Sequence, residues 1–491
     1  MNETSSSLST RCKFFVQSHA PLVVILILAA LVWTLVFFTA ATDYLLERSW
    51  NGAGHFDIYG LTVYFEFEGW SDYAYYYQNW GDQFLNGYVP YTDAFNNLGS
   101  DQYAPYFFPP LYLYLCAFGN TLPIDPFGTA LLICLFGYAT AFPVYGIAEY
   151  LSQNKRVGEI AVASYLLNPL ILYHTVYEWL NPAPFVFFTM MSFYLLMKRR
   201  RIAGTLAMVT AALFKQTVFF LALPLIAYLI KTPPRKDLAD YDPETSEEYE
   251  LIAGDDLDVL GLIRMAIIVL VYVVVVSLPY IIDYGNYFYY IILKPGMTLL
   301  ESVTVIPESN IPMTIAVLFI LIGAPEPLTQ FVNLATAYSV FLFIGVIILF
   351  VPMLLEVKDD RNLRSYWRRI LFLTLLLLLV VHIFSPRGVY KYYFVALIPF
   401  FSILSGERMI SHGTKKIQAS LSMIINPLII TAMILIPNRH VYLVLLLLVM
   451  LSYIVNKGFG DVYYLITRPF SQSIRNFKSR VFQSGNEYIT S

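Results

Sequence analysis

Carboxylates, amides and aromatic rings are concentrated in one stretch of the sequence, residues 71–110, which reads SDYAYYYQNWGDQFLNGYVPYTDAFNNLGSDQYAPYFFPP. Aromatic rings stack on the apolar face of a sugar, while carboxylates and amides bind its hydroxyl groups. An aromatic belt at a membrane surface is the alternative explanation for the tyrosines. It does not account for the acids, because a carboxylate near lipid must be solvated or functional. The segment therefore indicates a carbohydrate site.

The composition of the whole chain is that of a membrane protein. Of its 491 residues, 58% are apolar and only 13% are charged, against about 25% charged residues in a soluble domain. The cysteines Cys12, Cys116 and Cys134 are far apart, which argues against a disulfide scaffold or a zinc site. A net charge of −3 argues against a nucleic-acid partner. An ordinary soluble enzyme is excluded.

Charge predicts which side of the membrane each loop lies on. No Lys or Arg occurs between Arg48 and Lys155, whereas Asp and Glu are frequent there. Cytoplasmic loops collect Lys and Arg, so the first long loop should be external or lumenal. The same rule places four basic clusters in the cytoplasm: Lys155-Arg156, Lys198–Arg201, Lys231–Lys236 and Arg361–Arg369.

The apolar run 202–230 is bounded by basic residues at both ends, and two basic ends should not lie on opposite sides of a membrane. A single span would also place Lys215 near the bilayer centre, at a cost of about 2.5–3.5 kcal/mol. We therefore predict two short helices that turn at Phe214–Thr217, with Lys215 at the external interface.

A membrane-spanning helix needs about 20 apolar residues. Counting such runs predicts an all-α polytopic protein with about 12 transmembrane helices, both termini cytoplasmic and short interfacial helices in a large first external loop. The apolar run 109–118 is too short to cross and is predicted to be a surface or re-entrant helix. The predicted segments are a cytoplasmic N-terminus 1–20, a first transmembrane helix 21–41, an external loop 42–125, transmembrane helices 2–6 within 126–230, an acidic cytoplasmic loop 231–261, transmembrane helices 7–12 within 262–456 with an external segment 283–330, and a cytoplasmic tail 457–491.

Several short motifs follow one another along the chain in a fixed order. They are Asp72, Tyr75-Tyr76, Gly87, Pro90 and Tyr91; Tyr103-Ala104-Pro105; Asn168-Pro169 and Glu178; Phe214-Lys215-Gln216 with Leu223-Pro224; and Tyr390–Phe394 before Leu397-Ile398-Pro399. This order resembles that of the GT-C superfamily of integral-membrane glycosyltransferases. It is most similar to the branch that uses polyprenyl- or dolichyl-phosphate mannose, which includes the first mannosyltransferase of GPI-anchor assembly.

The resemblance implies inverting transfer of a hexosyl, especially mannosyl, group from a polyprenyl-phosphate-linked sugar to an acceptor hydroxyl. The acceptor would be a lipid-linked glycan, a glycolipid or a protein, and neither a cofactor nor a metal is implied. Asp72 would be the general base, while Lys215, Arg387 and Lys391 would bind the donor phosphate. The remaining substrate contacts are expected from Tyr76, Tyr91, Asp93, Tyr103, Glu178, Gln216 and Tyr392.

Alternatives remain open for individual residues and for the whole protein. Asp72 also suits the N-cap of a helix that begins at Tyr73, and Lys215 suits a side chain that reaches out to lipid phosphate. His174 and Glu178, spaced i,i+4, suit either a metal pair or the lining of an external turn. The alternative function is a flippase for lipid-linked sugars or another transporter. The membrane is either a prokaryotic cell membrane, archaeal ones included, or the endoplasmic reticulum membrane.

Overall fold

The computed structural model describes most of the chain between residues 19 and 407. The described residues are 19–47, 52–58, 61–67, 69–70, 72–92, 95, 106–231, 257–281, 284–293, 315–356, 358, 363–385, 390–407, 443–448 and 451. Within them, the regular structure is helical except for one pair of strands.

The strand pair follows the first long helix, α1 (Ala20–Leu45). Strand β1 (Gly52–Ile58) pairs antiparallel with β2 (Leu61–Phe67), in a register that places Gly52 opposite Phe67. The prediction of an all-α protein is therefore wrong for this segment. The β2 sequence LTVYFEF is rich in β-branched and aromatic residues, which favour strands, but a search for long apolar runs does not detect so short a signal.

Four helical segments of the described chain are long and apolar enough to cross a membrane. They are α1, the run 128–152 formed by α4 (Gly128–Ala139) and α5 (Ala141–Ser152), α11 (Val259–Ile281) and α16 (Leu363–Ile383). Two bent pairs raise the number to six if each is one span: α6 (Lys155–Leu166) with Pro169–Tyr177, bent by 43°, and α14 (Glu326–Ala337) with α15 (Val340–Leu355), bent by 62°. The chain is thus a polytopic membrane protein, and twelve spans are not confirmed.

Shorter helices complete the described fold. They are α2 (Asn79–Leu85), α3 (Pro110–Asn120), α7 (Pro169–Ile171), α8 (Pro182–Met197), α9 (Arg201–Phe214), α10 (Ala222–Leu229), α12 (Tyr284–Phe288), α13 (Ile315–Leu321) and α17 (Ile398–Glu407), with π-helical segments at Asp72–Gln78, Leu172–Tyr177 and Tyr289–Leu293 and 3₁₀ segments at Gln216–Leu221 and Lys391–Ala396. Proline is the first residue of α3, α7 and α8. Its fixed φ suits the first helical position, so these prolines set where the helices begin.

The predicted short helix of the first loop is present as α3. Its eleven residues span about 17 Å, too little to cross a bilayer. The helix packs against α2 and α4. Where α3 meets α4, a Cβ added to Gly128 would lie 2.0 Å from the carbonyl oxygen of Gly119. The two backbones touch, so only glycine fits at position 128.

The hairpin predicted around Lys215 is confirmed by the geometry of its two ends. α9 ends at Phe214, and the chain returns through a 3₁₀ segment into α10. The Arg201 guanidinium at the start of α9 donates a 2.7 Å hydrogen bond to the carbonyl oxygen of Leu229 at the end of α10. The basic ends of the hairpin therefore lie on the same side, as the charge pattern requires.

A short backbone contact joins the hairpin to α11. Lys231 and Leu257 form an isolated antiparallel bridge, and the Asp258 amide donates to the Ile230 carbonyl at 2.7 Å. The Asp258 carboxylate also pairs with Arg201 at 3.0 Å. The two ends of the acidic loop are thus held together at one place.

Candidate functional site

Lys215 lies at the turn of the hairpin, inside the protein. Its backbone is extended, with φ −154° and ψ 133°, between α9 and the following 3₁₀ segment. Only 5% of the residue is exposed. The alternative in which Lys215 reaches out to bulk lipid is therefore wrong, while its place near the external interface stays a prediction.

Four aromatic rings surround the Lys215 ammonium. Its Nζ lies 4.5 Å from the centroid of the Tyr393 ring, 5.2 Å from Tyr392, 5.6 Å from Phe185 and 5.8 Å from Phe108. A cation within about 6 Å of a ring face is attracted by the ring quadrupole, and a desolvated contact is worth about 2 kcal/mol. We call these four rings the aromatic cage. They stabilise the buried ammonium.

One amide completes the contacts described for this ammonium. Lys215 Nζ donates a 2.7 Å hydrogen bond to Oδ1 of Asn181, which is 4% exposed. Asn181 immediately precedes Pro182, the first residue of α8. The start of α8 therefore fixes the amide, and the amide fixes the ammonium within the cage.

Gln216 anchors the same turn to the first loop. Its Nε2 donates to the carbonyl oxygen of Phe107 and, at 3.4 Å, to that of Ile291. Phe107 directly precedes Phe108 of the cage. The hydrogen bonds of Gln216 thus tie the turn to the segment that carries Phe108, and its role as a substrate contact stays a prediction.

Asp72 lies close to this cluster. It is the half-buried first residue of the π-helix Asp72–Gln78, and its carboxylate acts electrostatically on the hydroxyls of Tyr77, Tyr112 and Tyr392. Burial raises the pKa of Tyr77 well above its usual value, and the Asp72 charge raises it further. The structure thus brings Asp72 and Tyr392, which lie far apart in the sequence, to the same region as Lys215 and Gln216.

A cavity opens next to the ammonium. Its empty volume is about 670 Å³, counted to its open mouth, and Lys215, His382 and Tyr393 lie at its polar side. Most of its lining is apolar, including Val186, Met190, Leu221, Leu378 and Phe400. A largely apolar cavity with a cation in its lining suits a ligand that joins an apolar part to an anionic group.

Glu178 lies apart from the cavity lining and is paired with a histidine. Its Oε2 is 2.5 Å from Nδ1 of His174, and both side chains are fully buried. The two residues flank the end of the π-helix Leu172–Tyr177. Within the described residues, no group of three His, Cys, Asp or Glu side chains is arranged to hold a metal ion. The pair is an internal contact of the bundle.

The other predicted site residues have mixed locations. Lys391 is buried, at 3% exposure, at the start of the 3₁₀ segment that carries Tyr392. Tyr76 packs against Trp80, with ring centroids 5.4 Å apart. Tyr91 donates a 2.7 Å hydrogen bond to the carbonyl oxygen of Phe108. Asp93, Tyr103 and Arg387 lie outside the described residues.

The sequence reasoning missed Asn181 and His382 as members of the site. His382 Nδ1 lies 2.6 Å from the Leu378 carbonyl oxygen and Nε2 lies 3.2 Å from that of Tyr393. The sequence does contain a signal for Asn181. It directly precedes Pro182, and a proline at the first helical position fixes where the helix begins. His382 carried no local signal, because only the tertiary fold brings α16 to the hairpin.

Comparison with protein families gives one informative result. A family model described as the GPI transamidase subunit PIG-U matches residues 94–297, which is less than half of the chain. The matched part includes Asn181, Phe185, Lys215 and Gln216 but neither Asp72 nor Tyr392. Comparison with curated proteins gives no match.

The family match overturns the resemblance to GT-C mannosyltransferases. A GPI transamidase joins a protein to a GPI lipid and does not transfer a sugar, so the predicted hexosyltransferase activity and polyprenyl-phosphate sugar donor are wrong. The prokaryotic membrane has no support either. The motifs misled because Tyr-x-Pro, Leu-x-Pro and Asn-Pro mark helix ends in any helical membrane protein. The order of these motifs therefore reflects where helices end and does not indicate a particular reaction.

Proposed function

We propose that this chain is a membrane-embedded subunit of a GPI transamidase in the endoplasmic reticulum membrane. We also propose that the Lys215 site binds the anionic part of a lipid whose hydrocarbon lies in the cavity. The proposed ligand is the GPI lipid, because a GPI transamidase acts on it and because it carries phosphate and hydrocarbon in one molecule. The proposed partners are the other subunits of that enzyme and its protein substrate.

The observation that carries the proposal is the buried Lys215 ammonium beside a largely apolar cavity, within the segment that matches the PIG-U family. An anion that enters a low-dielectric cavity next to a cation gains more Coulomb energy than it would in water. Largely apolar pockets with a few polar groups are typical of small-molecule sites. Lipid binding therefore accounts for both the charge and the lining.

Depletion of the chain from cells tests the assignment to a GPI transamidase. The expected result is that a GPI-anchored reporter disappears from the cell surface while its uncleaved precursor accumulates. Re-expressed chain should restore the reporter and should co-purify from mild detergent with transamidase activity. Normal conversion of the precursor in depleted cells would contradict the proposal.

Two substitutions of Lys215 test the site itself. Lys215→Met keeps the length of the side chain and removes its charge, whereas Lys215→Arg keeps the charge. Loss of one hydrogen bond to a charged group is worth about 1.5–3 kcal/mol, so Lys215→Met should lower phosphate-containing lipid recovered with the purified chain by roughly 10–150-fold. Lys155→Met, at an exposed cation, is the matched control. Equal lipid recovery from the native chain and from these variants would contradict the role of Lys215 in the proposed site. Co-purification of Lys215→Met with transamidase activity would show that this variant is folded.

A further inference from the structure

Basic side chains from two separate helix ends meet beside one tyrosine at the far end of α8. Lys198 directly follows α8, and its Nζ lies 5.8 Å from the centroid of the Tyr150 ring and 5.6 Å from that of Tyr194. Arg199, which follows it, and Arg364, near the start of α16, both act electrostatically on the Tyr150 hydroxyl.

A fourth cation adjoins the same place. Arg368 Nη2 donates a 3.3 Å hydrogen bond to the carbonyl oxygen of Leu151, the residue after Tyr150. We call Lys198, Arg199, Arg364 and Arg368 the Tyr150 cluster. Lys198 and Arg364 are exposed, while Arg199 and Arg368 are half-buried. The cluster is therefore built around a protein surface and accessible from outside.

The Tyr150 cluster is separate from the Lys215 site. α8 runs from the Asn181 amide at one end to Lys198 at the other, over 16 residues, or about 24 Å. This length approaches the roughly 30 Å thickness of a hydrocarbon core. The two places thus lie at opposite ends of α8, and the positive charge predicts the cytoplasmic face for the cluster.

Other cations on this face serve contacts within the protein. Arg201 pairs with Asp258 at 3.0 Å, and Arg369 pairs with Glu356 at 2.7 Å. Lys155 and Arg156 act on the buried carboxylate of Glu159. The Tyr150 cluster brings four cations close to Tyr150, from the end of α8 and from the first turns of α16.

We propose that the Tyr150 cluster binds the phosphate-containing headgroup of an anionic phospholipid in the cytoplasmic leaflet. Basic pockets between transmembrane helix ends suit anionic headgroups, and tyrosine rings mark the depth at which headgroups lie. Three arginines supply planar donor pairs for phosphate oxygens, while Lys198 adds a charge above Tyr150 and Tyr194. The inference does not depend on the proposed transamidase role.

Selective lipid retention by the full chain tests this site. The chain is reconstituted in vesicles of phosphatidylcholine with a minor fraction of phosphatidylserine and extracted gently, and the retained lipids are counted by native mass spectrometry. The test variant is Arg199→Gln/Arg364→Gln, and the matched control is Lys155→Gln/Arg156→Gln, which removes the same charge from the same face. Loss of one hydrogen bond between an arginine and a phosphate weakens binding by roughly tenfold or more, so the test variant should lose about 100-fold in phosphatidylserine retention relative to phosphatidylcholine.

The control variant should retain phosphatidylserine at close to the native ratio. Equal losses in the two double variants would mean that net charge alone attracts the lipid, and the proposal would be wrong. Native retention in the test variant would also overturn it. If the test variant does not fold, Arg364→Gln alone, at an exposed position, should still show about a tenfold loss.

Discussion

Lys215 Nζ and Asn181 Oδ1 are joined by a 2.7 Å hydrogen bond across 34 residues of sequence. The bond connects the turn of the α9–α10 hairpin to the start of α8, so it fixes the position of a buried cation relative to a helix that lines the cavity. Because both residues are buried, water does not easily replace either partner. The pair therefore contributes both to the stability of the fold and to the position of the charge in the proposed site.

Asn181→Ala should destabilise the protein by removing this acceptor. A hydrogen bond to a charged group contributes about 1.5–3 kcal/mol, and the substitution leaves the Lys215 ammonium less well solvated. The expected result is a lower Tm of the chain in detergent. Asn181→Asp keeps an oxygen acceptor at the same position and should melt close to the native temperature. An Asn181→Ala variant that melts like the native chain would show that the bond does not stabilise the fold.

Glu178→Leu should be among the most destabilising single substitutions. It leaves the fully buried His174 without the carboxylate that lies 2.5 Å from its Nδ1. Removing one partner of a buried ion pair costs about 3–5 kcal/mol, whereas replacing both partners by apolar residues is often neutral. Thermal unfolding of Glu178→Leu should therefore be compared with that of His174→Leu/Glu178→Leu. A double variant that is no more stable than the single one would contradict this account of the pair.

Gly128→Ala should destabilise the contact between α3 and α4. The added Cβ would lie 2.0 Å from the Gly119 carbonyl oxygen, a backbone atom that no rotamer change can move. Overpacking of this kind costs about 1–3 kcal/mol, measurable as a lower Tm. Leu135→Ala is a suitable control, because Leu135 lies on the same helix and is 55% exposed. Equal melting temperatures for the two variants would disprove the close backbone contact.

Impermeant thiol labelling should place residues 88 and 156 on opposite sides of the membrane. Tyr88 follows the short helix α2 and is 49% exposed, and Arg156 is exposed at the start of α6. In a chain whose three native cysteines are replaced by alanine, Tyr88→Cys should react from the external or lumenal side only. Arg156→Cys should react only after the membrane is opened. Labelling of both from one side would disprove the predicted topology.

The hairpin around Lys215 was predictable because it follows from charge alone. Two basic ends and one central lysine are incompatible with a single span, and Arg201 indeed lies against Leu229. The short helix α3 was predictable for a similar reason, since its apolar run has too few residues to cross. Both features depend on counting residues against a fixed membrane thickness.

Other parts of the site were not predictable because they arise from tertiary contacts. The sequence places Lys215 at a turn, but only the arrangement of Phe108, Phe185 and two tyrosines shows that the turn is covered. The strand pair was missed because strand signals are short beside membrane-helix signals. The identity of the reaction was missed because short motifs at helix ends are shared by proteins with different chemistry.

The bridge between Lys231 and Leu257 has a practical consequence for engineering and for sequence divergence. The two ends of the intervening segment are held together, so a longer connection adds only loop-closure entropy, about 0.6 kcal/mol for each doubling of its length. Insertions there need not disturb α10 or α11. A fluorescent protein or an affinity tag placed between these two anchors should leave the hairpin and its cavity in place, and the length of this segment is free to drift between species.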